Sequence, residues 1–389
     1  MVIWGDADTY SIMTQTIIEI LKAGCGDCLF ITIKNDDEIY RILVDGGVSA
    51  TYVDLKCGYP MPGDLKSKLI SLRSKHEHID LLIITHIDDD HIGGLLEWFS
   101  HDFPDKTLLH EVWFNDNILV PSYRSTNNSK ANAISLKCLL DEHGVSYKNG
   151  ITQGQAYLYN WGKITVLSPN VKYHNKIAKA LQTTLDQRNM TDNSGSDDYR
   201  ISIDDLMERK WKINLSDANK ASIAFLLTTR DGENNLLLGD ADINTVIHSI
   251  KELGYSKDNK LMCELIKLPH HGSKNNYTDK FLEVVAAKNF VVSTDGSIYG
   301  HPDKEVIAHL IKKTNSNILF NYESVLQSLF TVEDLATYPM IKSRCKLFTN
   351  EPTLKSKACL KCLYFTIIIF DLCRYLEYFS YLYTINQTE

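Results

Sequence analysis

Residues 81–94, LLIITHIDDDHIGG, place two histidines and three aspartates directly after a continuous apolar run. An uninterrupted apolar run of this length is typical of a strand buried on both faces, so its sheet needs a layer of structure on each side. The overlapping stretch HIGGLLEWFS has the pattern of a helix. The sequence therefore predicts a layered α and β fold in which a polar cluster follows a central strand.

The rest of the chain repeats this alternation of strands and helices in two halves. Strands are predicted at TIIEIL, LFITI, YRILV, IDLLIIT, LLHEVWFN and ITVLSPN, and then at SIAFLLTT, NNLLLGD, CELIKL and NFVVS. Helices are predicted near 65–77, 91–100, 129–144, 243–253, 278–287 and 303–313. Two β-rich halves, each with helices, predict a sheet-on-sheet core flanked by helices.

One large domain is predicted over residues 1–325, with a polar insertion at 171–220 and a C-terminal extension at 326–389. The insertion is rich in Asp, Asn, Ser and Lys, which is typical of a connecting or disordered segment. The extension is aromatic, but its apolar run is shorter than the ~20 residues of a membrane-spanning helix. We therefore expect no stable membrane insertion and a role in covering the core or binding a partner.

The composition favours a cytoplasmic protein. Nine cysteines, an odd number, fit reduced thiols better than a disulfide framework, and the opening MVIWGDADTY lacks the features of a secretory signal. The net charge of −8 argues against a protein that coats nucleic acid, because that binding needs clustered Lys and Arg. The negative net charge does not exclude a nuclease, because a bound metal ion supplies local positive charge for a phosphodiester.

The loop after the central strand carries the residue types of a metal site. His86, Asp88, Asp90 and His91 lie where alternate side chains can point into one cavity. Imidazole and carboxylate groups suit divalent metals, and four of them are more than one ion usually takes from so short a segment. Aspartates at a helix start can instead cap free N–H groups. That alternative does not explain the two histidines and the closing Gly-Gly.

Three later stretches carry the same residue types. NNLLLGDAD ends a strand on Asp240, from which one carboxylate can bridge two ions, whereas Asp242 fits a helix start. LIKLPHHGS places His270 and His271 after another strand, and YGHP adds His301. Each stretch alone has a structural explanation, but four acidic or imidazole clusters together predict a metal centre.

These ordered motifs resemble the metallo-β-lactamase superfamily, most closely the metallo-β-lactamase-like domain of the DNA-uptake competence protein ComEC and its stand-alone relatives. LKAGCGDCLFI resembles that group's Gly-x-Gly-Asp opening, ILVDGG with Asp45 its first motif, and THIDDDHIGG its His-x-Asp-x-Asp-His motif. NKASIAFLL with Asn219 and Ser222, LLLGDAD, LPHHGS and YGHP continue the series. The resemblance spans about residues 15–315 and implies an α+β fold, the αββα sandwich.

The chain departs from the wider superfamily at two positions. Asp88 stands where the second histidine would be, and Asn219 and Ser222 occupy the region of the isolated third-motif histidine. His110 is a weaker candidate ligand, because it begins a predicted strand. The oxygen-rich set favours two manganese ions or a loosely held first zinc. The resemblance implies one ion held by Asp90, His91, Asp240 and one of His270 and His271, and a second surrounded by His86, Asp88 and Asp240.

The expected chemistry is hydrolysis by a metal-bound hydroxide. Asp88 is the expected general base or weak ligand, and water, His271 or His301 would protonate the leaving group. The resemblance implies a phosphodiesterase acting on DNA or RNA, and stand-alone relatives suggest a bacterial defence effector with protein partners at 171–220 or the C-terminal tail. A small-molecule phosphodiesterase, which the acidic charge favours, and a scaffold without turnover stay open as alternatives.

Overall fold

Two β-sheets stack face to face and carry helices on their outer surfaces. The computed structural model describes residues 14–36, 38–55, 58–103, 106–116, 129–172, 174–175, 197–211, 213 and 215–350. Its strands are β1 Gln15–Ile20, β2 Leu29–Asn35, β3 Glu38–Val44, β4 Val53–Asp54, β5 Met61–Pro62, β6 Ile79–Ile84, β7 Leu109–Phe114, β8 Ala156–Tyr159, β9 Gly162–Ser168, β10 Ala224–Thr229, β11 Asn234–Leu237, β12 Leu261–Lys267, β13 Val285–Val292, β14 Asn317–Phe320 and β15 Cys345–Leu347.

The strand order places the carboxyl ends of several strands at one edge of each sheet. The first sheet has the order β1-β2-β3-β6-β7, and its last three strands are parallel. The second sheet has the order β15-β14-β13-β12-β11-β10-β9-β8, and β11 to β15 are parallel. Strands β4 and β5 form a separate hairpin. In open parallel sheets this carboxyl edge is where ligand sites form.

The helices cover the outer faces. They are α1 Asp64–Ser74, α2 Asp89–Glu97, α3 Ser129–Glu142, α4 Ile203–Met207, α5 Asp217–Lys220, α6 Ile243–Glu252, α7 Lys280–Val284, α8 Lys304–Lys313, α9 Glu323–Ser328, α10 Val332–Thr337 and α11 Ile341–Arg344. Helices α1 to α3 pack on the first sheet, and α6 and α8 pack on the second. Together with the sheet-on-sheet core this confirms the predicted αββα sandwich.

The apolar run before the polar cluster is explained by burial on both faces. Successive side chains of a strand point to opposite faces. Ile83 packs between the sheets against residues such as Phe225, whereas Leu82 packs under the helices. Both side chains are fully buried, and each such burial contributes about 1.5–3 kcal/mol to stability.

One predicted helix is wrong in its second half. The stretch near 278–287 forms the short helix Lys280–Val284, and strand β13 begins at Val285. Val285 pairs with Leu261 of β12 in parallel register. β-branched valines fit a half-buried pleated surface, so the tertiary pairing overrides the local helical pattern.

The second sheet continues past the predicted domain boundary at residue 325. Strand Cys345–Leu347 pairs with Asn317–Phe320 and lies within the predicted extension. The described end of the polar insertion packs on α8, where the buried Lys304 Nζ donates to the carbonyl of Ile201 at 2.6 Å. Within the described ranges no helix has the length and apolarity to cross a bilayer. The remaining part of the extension, 351–389, lies outside the described residues.

Candidate metal centre

The motif residues noted in the sequence meet where the carboxyl edges of the two sheets come together. β3 leads into Asp45 and β6 leads into His86 on the first sheet. On the second sheet β11 leads into Asp240 and β12 leads into His271. Because these strands are parallel neighbours within their sheets, their loops emerge side by side.

Four buried side chains form the centre of the site: Asp27, His91, Asp240 and His271. One ligand atom from each lies within 4.8 Å of the others. All four residues are at most 2% exposed. We call this set the inner cluster. It draws one residue from the turn before β2, one from α2 and two from strand ends of the second sheet.

His91 is oriented by a carboxylate behind it. Its Nδ1 lies 2.9 Å from Asp45 Oδ2, and Asp45 Oδ1 in turn accepts from the Thr85 backbone N–H at 2.7 Å. A proton on Nδ1 leaves the Nε2 lone pair facing Asp240 Oδ1, 3.3 Å away. Asp45 thus fixes the orientation of the His91 ring, as a carboxylate behind a metal ligand would.

His271 is oriented in the same way by different groups. Its Nδ1 donates to the Ser293 carbonyl at 2.8 Å and lies 3.4 Å from Asp27 Oδ1. Its Nε2 then points toward Asp90 Oδ2, 3.3 Å away. The ring is fully buried, so its orientation leaves one nitrogen available to the cluster.

The turn that carries the two adjacent histidines has an unusual backbone. His270 and His271 both adopt positive φ, 46° and 58°, which costs non-glycine residues about 1–3 kcal/mol each. The His270 N–H donates to the Gly239 carbonyl at 2.8 Å, which ties this turn to the one before Asp240. Strain of this kind persists only where the surroundings hold it, and here the turn places His270 Nε2 near Asp240 and His271 Nε2 near Asp90.

His270 contacts Asp240 from the outer side. Its Nε2 lies 3.6 Å from Asp240 Oδ2, while its Nδ1 lies 2.8 Å from Asn276 Oδ1. Asn219 Nδ2 lies 3.2 Å from the same Nδ1. The two oxygens of Asp240 therefore face different histidines, His91 and His270.

Further predicted residues complete the outer side of the site. His86 Nε2 lies 2.9 Å from Asp88 Oδ2, and the His86 ring packs edge-on against His91 with centroids 5.2 Å apart. The His301 ring packs against His270 at 5.1 Å, and Tyr299 stacks on His301. These rings and the Asp88 carboxylate border the inner cluster on its open side, where Asp88 is 34% exposed.

The carboxylates of the site raise the pKa values of two of its histidines. Burial alone would lower the pKa of His91, but Asp240 and Asp45 outweigh it and hold the pKa well above its usual range. Burial likewise opposes protonation of His271, yet Asp27 and Asp90 raise its pKa to about 9. Despite burial, His270 and His91 keep the pKa of Asp240 well below its usual range. The carboxylates thus favour positive charge at the positions where a metal ion would sit.

The inner cluster fits a divalent metal ion. Within the described part of the chain, three of its buried atoms make no hydrogen bond: Asp27 Oδ1, His91 Nε2 and Asp240 Oδ1. Unsatisfied buried polar atoms are costly, so their convergence calls for a ligand. Two imidazole nitrogens with carboxylate oxygens form a donor set suited to zinc or manganese.

The structure places most predicted site residues together, whereas Asp242, Ser222 and His110 make other contacts. Asp242 accepts from the Asn244 N–H at the start of α6, as predicted for a helix-start residue. Ser222 accepts from the Asp240 N–H at 3.0 Å and so supports the backbone of that strand end. His110 lies elsewhere, 3.6 Å from Asp80.

Asp27 is the site residue that the sequence reasoning missed. The Gly-Asp of LKAGCGDCLFI belongs to a motif, but the sequence alone assigns no role to its carboxylate. A β carbon on Gly26 would lie 1.9 Å from the Asp90 carbonyl oxygen, so only glycine lets this turn pass so close to the ligand loop. That Gly-Asp turn was the available signal.

A comparison of sequences matches part of the chain to a known family. Residues 26–115, which include Asp27, Asp45, His86 and His91, match the family model described as the metallo-beta-lactamase superfamily. The family assignment therefore rests on residues 26–115, which have the sequence of a metallo-β-lactamase superfamily domain. The matched residues run from the turn before β2 to the end of β7, so the match covers the first-sheet half of the sandwich apart from β1. No curated protein matches the chain.

Solved structures resemble the chain only distantly. A diphosphatase from the PhnP family has 13% identity and a TM-score of 0.37, covering 79% of this chain and 94% of its own. A long-form RNase Z from yeast has 12% identity and a TM-score of 0.39, covering 89% of this chain and 48% of its own. A metallo-beta-lactamase from Staphylococcus aureus has 12% identity and a TM-score of 0.31, covering 87% and 99%.

Proposed function

We propose that this protein is a metal-dependent hydrolase that cleaves phosphodiester bonds in DNA or RNA. The main support is the inner cluster, in which buried His91 Nε2 and Asp240 Oδ1 converge without a hydrogen bond among the described residues. A scaffold without metal chemistry gains nothing from burying so many carboxylates together.

The residues fit two divalent ions, zinc or manganese. The inner ion would be held by Asp90, His91, Asp240 and His271, with Asp27 beside them. The outer ion would be held by His86, Asp88, Asp240 and His270. Asp240 is suited to bridging because its two oxygens face His91 and His270 at 3.3 and 3.6 Å. Bound divalent ions lower the pKa of water and stabilise charge on phosphoryl oxygens.

We assign proton transfer to the outer residues. Asp88 is partly exposed and hydrogen bonds to His86, so its carboxylate can accept a proton from the attacking water. His301 lies against the outer face of His270 and is the candidate donor to the leaving oxygen. We take His271 out of that role, because its ring is fully buried and its Nδ1 donates to the Ser293 carbonyl.

We further propose that the chain belongs with the stand-alone relatives of the ComEC domain and works in bacterial defence. The ordered motifs from Asp45 to His301 support this grouping. A partner protein would bind through 171–220 or the C-terminal tail and bring the enzyme to its nucleic acid. The charge of −8 makes such delivery useful, since the chain has no excess of basic residues for binding phosphates alone.

A substrate panel tests the proposal. The pure protein is loaded with manganese or zinc and given plasmid, single-stranded DNA, RNA and a bis-aryl phosphodiester. We expect cleavage of a nucleic acid, lost in Asp88→Asn and retained in Asp54→Asn, which changes an aspartate of the separate β4–β5 hairpin. Cleavage of the small ester alone would replace the nuclease with a small-molecule phosphodiesterase. Metal binding without any cleavage would favour a scaffold or an enzyme that is active only with its partner.

A further inference from the structure

A second group of metal-binding side chains lies at the other end of the first sheet. His78 precedes β6, Asp80 lies in β6 and His110 lies in β7, all near the amino ends of these parallel strands. One ligand atom from each lies within 4.8 Å of the other two. The metal centre sits at the carboxyl ends of the same strands, so the two groups are separate.

The spacing of these three side chains fits a shared ion. His78 Nε2 lies 3.0 Å from Asp80 Oδ1, and His110 Nδ1 lies 3.6 Å from the same oxygen. Ligands about 2.0–2.2 Å from a tetrahedral ion lie about 3.3–3.6 Å from each other. The imidazole rings stack with centroids 3.9 Å apart, and one nitrogen of each lies near Asp80 Oδ1.

The hydrogen bonds and register of the sheet hold His78, Asp80 and His110 in these positions without a bound ion. Asp80 Oδ2 accepts from the Arg41 backbone N–H of β3 at 2.7 Å, which leaves Oδ1 for the two imidazoles. Ile79 pairs with Leu109 in parallel register, so the next residues of β6 and β7 stand side by side on one face. Three strands therefore position the group without help from a long flexible side chain.

Hydrogen bonding alone explains only part of the arrangement. One imidazole proton accounts for the contact of His78 with Asp80 at 3.0 Å. His110 at 3.6 Å is beyond hydrogen-bonding distance, yet its nitrogen faces the same oxygen. Two stacked rings aimed at one oxygen are accounted for if a cation sits between the three groups.

We propose that His78, Asp80 and His110 form a peripheral site for a transition-metal ion of the zinc class. Their side chains are 39%, 13% and 53% exposed, so a fourth position is open to water. Two nitrogens and one oxygen favour zinc, copper or nickel over manganese and magnesium. The ion would join the amino ends of β6 and β7.

Metal stoichiometry tests this site. Full-length protein is dialysed against excess zinc and analysed for metal, and the double variant His78→Ala/His110→Ala is treated in parallel. We expect the double variant to bind one equivalent fewer and the single variant His110→Gln to bind zinc more weakly. Equal zinc content in wild type and double variant would overturn the proposal.

Two controls make the result specific. His101→Ala and His248→Ala remove exposed histidines that each lie near a glutamate of their own helix turn, and both should keep the full zinc content. Zinc should raise the melting temperature of the wild type more than that of the double variant. Manganese-dependent hydrolysis should be unchanged in the double variant, so a failed peripheral site is distinguishable from a failed proposed function.

Discussion

Lys267 and Asp27 form an ion pair in the protein interior, although 240 residues separate them along the chain. Both side chains are 2% exposed. Lys267 ends β12 on the second sheet, whereas Asp27 lies in the turn before β2 on the first. The other oxygen of Asp27 lies 3.4 Å from His271 Nδ1. Lys267 therefore holds the carboxylate that helps to orient a predicted metal ligand.

Breaking this pair should destabilise the whole domain. In Lys267→Met the Asp27 carboxylate loses its main counter-charge, and removing one partner of a buried pair costs about 3–5 kcal/mol. The free energy of unfolding, measured by urea titration with EDTA present, should fall by that amount. Lys288→Met breaks the exposed pair with Glu264 and should cost no more than about 1 kcal/mol. Equal losses in both variants would contradict this account.

Asp45→Asn should weaken metal binding while the fold is kept. The amide cannot supply the negative charge that now favours a proton on His91 Nδ1, 2.9 Å away. Loss of such an orienting partner typically reduces metal affinity about 10–100-fold. Competition with a chromophoric chelator measures the affinity directly. Asp102→Asn, which removes an exposed partner of Lys66, is the matched control and should bind metal as the wild type does.

Asp240→Ala should lose both bound metal and hydrolysis. This carboxylate faces His91 with one oxygen and His270 with the other, so no neighbouring group can replace it. The neighbouring carboxylate provides the control, because Asp242→Ala removes only a helix cap, worth about 0.5–2 kcal/mol. Metal analysis and turnover are measured on both variants. Turnover retained by Asp240→Ala would contradict the bridging assignment.

The two adjacent histidines should differ in their effects. His271→Ala removes a fully buried nitrogen of the inner cluster, and we expect it to lose the tighter ion. His270→Ala removes an outer contact at 3.6 Å from Asp240 and should keep one ion while hydrolysis falls. Metal titration by calorimetry separates the two cases. Loss of both ions in His270→Ala and neither in His271→Ala would reverse the assignment.

Much of the fold and part of the site could be predicted from local sequence patterns. The apolar run before His86 indicates a strand buried on both faces, and Ile83 and Leu82 lie in different layers as that pattern requires. Strand ends meet at one edge of parallel sheets, so acidic and imidazole residues at several strand ends could be expected to converge. The fold class follows from the same alternation of strands and helices.

Other features depend on contacts that no local pattern contains. The role of Asp27 follows from Lys267 and His271, which lie far along the chain on the other sheet. The different contacts of His270 and His271 follow from a turn in which both residues adopt positive φ, with His270 Nε2 near Asp240 and His271 Nε2 near Asp90. Strand β13 begins at Val285 because β12 is beside it. Each of these is decided by tertiary contacts.

The metal-free protein should lose stability as the pH rises from about 6.5 to 9. The pKa of His271 is raised to about 9 in the fold, from an unfolded value near 6.5. The folded state therefore binds this proton more tightly, and the resulting stability is fully present below pH 6.5 and disappears as the pH passes 9. A shift of this size corresponds to roughly 3 kcal/mol.

The comparison of two proteins isolates this effect from other titrating groups. Unfolding free energies are measured in EDTA at pH 6 and pH 9.5 for wild type and for His271→Gln. The glutamine side chain does not titrate in this pH range. The wild type should lose more stability than the variant between these pH values. With manganese present the ion takes the place of the proton, so metal affinity should rise over the same pH range. Parallel pH profiles for wild type and variant would show that His271 is not held protonated by Asp27 and Asp90.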